Sequence, residues 1–328
     1  MIAAVTGASG HIGGALVREL LAQGHRVRAL VRRDTAALEG LNVERVAASL
    51  EDIDSLVAAF QGADWVFHLA SRISIAGDPD GSVYRANVIG TRNVIEAVRR
   101  AGATRLIHFS TIQTLSHEPR EQPVDETRPA ANADFVGAYD RTKAESEADV
   151  LAAATQELDA VIVQPTGVIG PHDFKPSRMG RFFIALANRR LPSLVAGGFD
   201  WVDVRDVAAG AVAAAERGRR GERYIFGGHH ATLHRLAELA SDATGIAPPR
   251  FVTPLWLARA AAPVAEVWAR TTRAEPLFTR ESVRTIGLQV RVNSDKARSE
   301  LSYRVRPLED TVRDLYGWFT TENRLHLR

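Results

Sequence analysis

Tyr139 and Lys143 stand four residues apart in a stretch whose pattern predicts a helix, so both side chains project from one face. A free tyrosine titrates at about 10 and is a poor acid–base group near neutrality. A fixed ammonium beside it favours the phenolate and brings the phenol into catalytic range. An amphipathic helix with an exposed tyrosine and lysine would give the same spacing. Chemistry is favoured because Lys143, Lys175 and Lys296 are the only lysines among 328 residues, and a glycine loop lies upstream. Ser110 and Thr111 follow an apolar run, Arg105–Phe109, that reads as a strand. A hydroxyl at that strand end can hydrogen-bond a substrate oxygen while the tyrosine exchanges the proton. An ordinary strand-ending turn explains those two residues equally well.

The glycine loop is Thr6-Gly7-Ala8-Ser9-Gly10-His11-Ile12-Gly13, placed after a first predicted strand and opening a predicted helix. Glycines permit the tight turn and close backbone approach, and the helix N-terminus then faces a pyrophosphate. The spacing is T-G-x-x-G-x-x-G rather than the commoner G-x-G-x-x-G.

The elements that must position these residues alternate along the chain. Strands are predicted at 1–5, 27–31, 43–46, 65–69, 105–109, 160–163 and 223–226, with helices at 16–21, 53–60, 83–100 and 139–158 between them. That order predicts an α/β fold, a parallel sheet covered by helices on both faces. After Pro165 the alternation weakens, and from His229 onward helices and loops are expected. The domain reading is a dinucleotide-binding domain over 1–165, to which 200–228 returns, and a smaller substrate lobe from 166–199 and 229–328.

Composition narrows the function. Hydrophobic residues are 45% and charged residues 24%, ordinary for a globular protein. Lysine plus arginine is 41 against 39 acidic residues, which makes no electrostatic case for nucleic acid or an anionic membrane. Cysteine is absent, which removes disulfides, thiolate metal sites and a cysteine nucleophile. There is no signal-peptide pattern and no apolar run near the ~18 residues of a membrane span, so a cytoplasmic protein is expected.

The loop from Thr6 to Gly13, Tyr139-x-x-x-Lys143, His68-Leu69-Ala70, the run from Asn87 to Val94 and the hydroxyl pair together resemble the extended short-chain dehydrogenase/reductases. More narrowly the chain resembles the NAD-dependent epimerase/dehydratase group, near its dihydroflavonol-reductase-like members. The resemblance continues through Pro171 and into Trp201-Val202-Asp203-Val204-Arg205-Asp206-Val207. It implies a Rossmann-type doubly wound sheet, a nicotinamide cofactor and a Thr-Tyr-Lys active site. Tyr139 would be the general acid/base, Lys143 would lower its pKa and bind the nicotinamide ribose, and Thr111 would be the catalytic hydroxyl. Gly7, Ser9, Gly10, His11, Ile12 and Gly13 would hold the pyrophosphate. Ser49 and Leu50 would lie at the adenine, although the family often has Asp-Leu or Asp-Ile there. His68, Leu69, Ala70 and Ser71 would line the cofactor, with Asn87 and Ser110 near it and Pro165 and Thr166 flanking the nicotinamide.

Two features bear on cofactor and substrate. Where NAD-using relatives carry aspartate after the second strand, this chain has Val31, followed by Arg32, Arg33 and Asp34. Arginine there suits the extra phosphate, so NADP is expected over NAD, with a register shift of Asp34 the complication. Sugar-nucleotide members often carry an asparagine before the Gly-Pro turn, and the stretch from Gln164 to Pro171 has a glycine at that place. The leading expectation is a reductase or dehydrogenase acting on a carbonyl or secondary alcohol of a small molecule. The alternatives are a sugar or sugar-nucleotide epimerase/dehydratase using the same residues, and a non-catalytic cofactor sensor. The helices at 83–100 and 139–158 often pair between subunits in this family, so a homodimer is expected. No metal is expected, since His229, His230 and His234 lack an evident third ligand. The segment 255–268, interrupted by Pro263, is expected to pack as core or lid, and Arg178, Arg181, Arg280 and Arg284 lie in the substrate lobe.

Overall fold

In chain order the elements are β1 (Ile2–Thr6), α1 (His11–Ala22), β2 (Arg26–Val31), β3 (Glu44–Ala47), α2 (Ile53–Phe60), β4 (Trp65–His68), α3 (Ser82–Tyr84), α4 (Gly90–Ala101), β5 (Arg105–Phe109), α5 (Ala138–Gln156), β6 (Ala160–Pro165) and β7 (Gly167–Ile169). There follow α6 (Arg178–Ala187), β8 (Leu194–Val195), β9 (Gly198–Asp203), α7 (Val204–Arg217), β10 (Arg223–Phe226), β11 (His229–Thr232), α8 (Leu233–Thr244), β12 (Val252–Thr253), α9 (Leu255–Thr272), α10 (Arg280–Gly287), α11 (Asp295–Leu301) and α12 (Leu308–Thr321). The computed structural model describes the chain except residues 33–34, 75–76, 132–136, 273–278 and 326–328, and except the side chains of 264–272 and 281.

Seven strands form one sheet in the order β3-β2-β1-β4-β5-β6-β10, every pair parallel. Parallel strands are buried on both faces, which is why β4 and β6 read as unbroken buried runs. Alternate residues serve opposite faces. Val5, Phe67, Ile107, Val161 and Val163 join a core with Leu16 of α1 and Val207 and Ala211 of α7. Ala4, Val66, Leu106, Ala160 and Ile162 join another with Leu56 of α2, Val94 and Val98 of α4 and Val150 of α5. The sheet is therefore doubly wound, a Rossmann-type fold.

The order reverses direction at β1, whose neighbours are β2 and β4. Open α/β sheets bind ligands at the carboxyl ends of strands beside such a switch point. Register aligns these ends: Thr6 lies beside Leu30 and His68, His68 beside His108, and Phe109 beside Val163.

Beyond the large sheet, β11-β9-β7 and β12-β8 form two small sheets over a separate core containing Phe182, Phe183, Trp201, Leu236, Val312 and Phe319. The strands β11 and β12 depart from the expectation of helices and loops after His229. They are four and two residues long and carry no apolar alternation, so no sequence pattern marks them. The helix expected at 83–100 is interrupted by a π-helical turn, Arg85–Ile89, between α3 and α4. In contrast, α9 runs through Pro263 without ending. In its first turn Trp256 is 70% exposed and Leu257 44%. Among the described residues no helix is long and apolar enough to cross a membrane.

Candidate active site

The glycine loop turns at Gly7, which has φ +72°, a conformation that L side chains rarely adopt. A Cβ on Gly7 would lie 2.8 Å from the Ala70 nitrogen, and one on Gly13 would lie 2.1 Å from the Gly7 carbonyl oxygen. Helix α1 thus packs directly on the loop that precedes it. Gly10 is its N-cap and supplies no side chain, and the first turn contains no acid, so nothing on this end opposes an anion. His11 anchors the turn through Nε2, 3.0 Å from the Pro171 carbonyl.

Behind the loop, a buried chain of hydrogen bonds ties three elements together. Thr91 Oγ1 donates to the Asn87 carbonyl at 2.6 Å, so it accepts from His68 Nε2 at 3.0 Å. That leaves His68 Nδ1 to accept from Thr6 Oγ1 at 2.8 Å, while the same oxygen accepts from the Ala70 nitrogen at 3.2 Å. The bonds assign His68 as the neutral Nε2–H tautomer. Burial, helped by the nearby Lys143 charge, lowers its pKa to about 3. His68 therefore serves the loop as a bracket. Asn87, in the π turn, accepts from the Arg72 nitrogen at 2.7 Å and donates to the Arg72 carbonyl and to Thr142 Oγ1. It ties the segment after β4 to α5, between Tyr139 and Lys143.

Lys143 is 4% exposed and donates from Nζ to the Phe109 carbonyl at 2.5 Å. Burial lowers its pKa to about 8, with the Glu147 carboxylate opposing the shift. Tyr139 is half-buried one turn earlier on α5. The two hydroxyls after Phe109 diverge. Ser110 is buried and donates to Glu147 Oε2, whereas Thr111 is half-buried and caps the short turn Ile112–Thr114 through the Gln113 nitrogen.

The remaining expected residues also sit at strand ends. Arg32 is exposed, one residue past β2, while Arg33 and Asp34 lie outside the described residues. Ser49 and Leu50 follow β3, and the Leu50 carbonyl accepts from Asn93 at 2.7 Å. Leu69, Ala70 and exposed Ser71 follow β4. Pro165 ends β6, and Thr166 donates its hydroxyl to Asp200 at 2.7 Å. A cavity of about 460 Å³ opens beside the start of α5, lined among others by Gln113, Leu115, His117, Gly137, Asp140, Arg280 and Arg284. Of the four lobe arginines, Arg178 lines a separate hollow with Met179 and Phe182 instead. The described residues contain no metal-ligating group of three; His229 bonds the Arg306 carbonyl and His234 pairs with Glu238.

Residues 3–227 match the model of the NAD dependent epimerase/dehydratase family. The chain belongs to that family. It is 36% identical over 328 residues to the sterol demethylase protein B of Methylococcus capsulatus, covering 97% of this chain and 98% of that one. It is 34% identical to a putative dihydroflavonol 4-reductase of Synechocystis, covering 96% and 93%. The solved structure of gox2253 superposes with TM-score 0.86 at 35% identity, covering 99% of each chain. Within the epimerase/dehydratase family these relatives resemble the chain from end to end, and the dihydroflavonol-reductase-like likeness stands.

The glycine before the Gly-Pro turn has a physical reason in this family member. A Cβ on Gly167 would lie 2.6 Å from the ring of Trp201, whose indole nitrogen is held by the Ala231 carbonyl at 2.9 Å. Trp201 occupies the space that any side chain at 167 needs. Sequence reasoning missed the polar cluster under Lys143. Glu147 lies 3.0 Å from Thr114 Oγ1 and accepts from Gln164 at 3.1 Å and Arg223 at 2.6 Å. The spacing of Glu147, four residues past Lys143, was the available signal.

Proposed function

We propose that this chain is an oxidoreductase that interconverts a carbonyl and a secondary alcohol of a small molecule, with NADP(H) preferred over NAD(H). The observation that carries the reading is the seat of Lys143. Its ammonium is bonded to the Phe109 carbonyl at the carboxyl end of β5, one helical turn after Tyr139 on the helix and two residues before Thr111 on the chain.

The residues present fit a dinucleotide. The cradle formed by Gly7, Gly10 and Gly13 admits no Cβ at two of its three glycines, and the uncapped α1 N-terminus favours an anion. Ser9, His11 and Ile12 complete that turn, Ser49 and Leu50 take the adenine side, and Leu69 to Ser71, Asn87, Ser110, Pro165 and Thr166 line the rest. Arg32, exposed just past β2, would grip a 2′-phosphate through paired hydrogen bonds. When bound, the nicotinamide supplies or accepts the hydride. Tyr139 gives its phenolic proton to the substrate oxygen in reduction and takes it back in oxidation. Lys143 holds positive charge near the phenol and favours its ionisation. Thr111 orients the substrate oxygen, since the Ser110 hydroxyl is already committed to Glu147.

Trp201 at Gly167 supports a reductase over a sugar-nucleotide epimerase, because the asparagine frequent in the latter has no room. The reductase named among the relatives supports the same choice. A two-fold dimer through α4 and α5 belongs to the reading; the mass in solution is then about twice 35.7 kDa. The test of the function is a panel of carbonyl compounds, including dihydroflavonols and sterol ketones, with NADPH or NADH. One NADPH consumed per alcohol formed supports it. Conversion of a sugar nucleotide by retained NAD, with no net consumption, overturns it.

A further inference from the structure

We propose that Glu147, held by Arg223, is a positioning residue that keeps the Lys143 ammonium charged and seated at the end of β5. The inference rests on the reading of Tyr139 and Lys143 given above, and extends it to residues that touch neither substrate nor cofactor.

Residues one turn apart on α5 grip Phe109, the last residue of β5, and Ser110 just after it. Lys143 donates to the Phe109 carbonyl, and Glu147 accepts from the Ser110 hydroxyl. Glu147 is 3% exposed, and an anion there is tolerable only with full hydrogen bonding and a counter-charge. It has both: Gln164 donates at 3.1 Å, Thr114 Oγ1 lies 3.0 Å away, and the Arg223 guanidinium donates at 2.6 Å. Arg223 enters from β10, the edge strand beside β6, and its side chain is 28% exposed.

The surroundings of Lys143 otherwise disfavour its charge. From β4 and β5, His68 and His108 face it as buried neutral rings, and the Phe109 carbonyl offers a dipole only. Tyr139 precedes it on α5, and Glu147 is the carboxylate that opposes the lowering by burial. Arg223 lies beyond Glu147 and supplies its counter-charge. Glu147 thus raises the proton affinity of Lys143, and Arg223 acts only through Glu147.

The chain's three lysines make a direct measurement practical. Protein labelled with ¹³C at lysine Cε gives three resonances, assigned with Lys175→Arg and Lys296→Arg, whose pH titrations are followed without substrate. The Lys143 midpoint in the parent is expected at about 8. In Glu147→Gln it moves to lower pH by roughly one pH unit or more. In Arg223→Gln, which removes the counter-charge that makes an anion at 147 tolerable, it also moves to lower pH. A merely structural role, whose loss lets water reach Lys143, would raise the midpoint instead. A midpoint that stays put or rises in either variant overturns the inference. Should Glu147→Gln fail to fold, Arg223→Gln decides alone: a lowered midpoint supports the proposal and an unmoved or raised one overturns it. Activity of Tyr139→Phe, measured in parallel, reports separately on the catalytic reading, so either can fail without the other.

Discussion

The Lys143 ammonium and the Phe109 carbonyl meet at 2.5 Å, and this bond joins α5 to the end of β5 inside the protein. The helix carries Tyr139 and the strand leads into Thr111, so one buried contact governs the spacing of all three groups. Asn87 adds a second tie, from the segment after β4 to Thr142 on the same helix.

That seat predicts a pH dependence. Lys143 is cationic below about 8 and neutral above it. Carbonyl reduction is expected to fall as pH rises through that value, because a neutral amine no longer favours phenolate. The folding linkage has the opposite sign. The unfolded lysine keeps its proton to 10.5, so between about 8 and 10.5 the unfolded state binds more protons and this group's contribution to stability rises with pH. Loss of rate with retained thermal stability is therefore expected; a rate that is flat to pH 10 contradicts it.

Replacing Gly13 by alanine puts a Cβ 2.1 Å from the Gly7 carbonyl oxygen, where backbone cannot yield cheaply. NADPH affinity is expected to drop at least tenfold, about 1.4 kcal/mol, by titration calorimetry. Gly317→Ala, in α12 with nothing within 4 Å of the added carbon, is the control and is expected to leave affinity unchanged. Equal affinities in all three proteins would remove the loop from the cofactor site.

The sequence carried the sheet well, because parallel strands are short apolar runs and the helices between them have clear periodicity. The strand Arg105–Phe109 and the helix Ile53–Phe60 are found at their expected bounds. The glycine loop was legible for a different reason, since only glycine tolerates Gly7's backbone and Gly13's contact. Glu147 and Arg223 were not, being 76 residues apart and joined only when β10 pairs with β6. The strands of the lobe lacked any pattern to read. Trp201 and Gly167 each look ordinary alone, and their meaning is a contact between two strands, β9 and β7.

Buried histidines predict acid sensitivity. His68 and His108 are both fully buried and neutral, with pKa values pushed below the ordinary 6.5 by desolvation and by Lys143. The unfolded chain takes up these protons below about 6.5 and the folded one does not, so stability is full above that pH and is lost as pH falls. These two groups contribute a slope of about 3 kcal/mol per pH unit near pH 5, to which His172, lowered to about 4 by burial, adds. Among the described residues neither ring nitrogen of His108 has a hydrogen-bond partner. Urea midpoints should therefore show that His108→Leu costs less than about 1.5 kcal/mol at pH 7.5 and reduces the acid slope by about 1.4 kcal/mol per pH unit. An unchanged slope would contradict this.

In the proposed reading cofactor choice turns on Arg32, exposed just past β2. Arg32→Ala is expected to weaken NADPH by about tenfold and leave NADH nearly unchanged, a loss of one charge-assisted contact. Tighter binding of NADH than NADPH by the parent would reverse the assignment.

Tyr139 is the residue proposed to move the proton. Tyr139→Phe removes one hydroxyl and leaves the Lys143 seat and the glycine loop in place. Single-turnover reduction of the best carbonyl substrate from the panel, with NADPH already bound, measures that step directly. The rate is expected to fall by at least about 10²–10⁴-fold, with NADPH affinity within a few-fold of the parent. A Tyr139→Phe rate within a few-fold of the parent would contradict it.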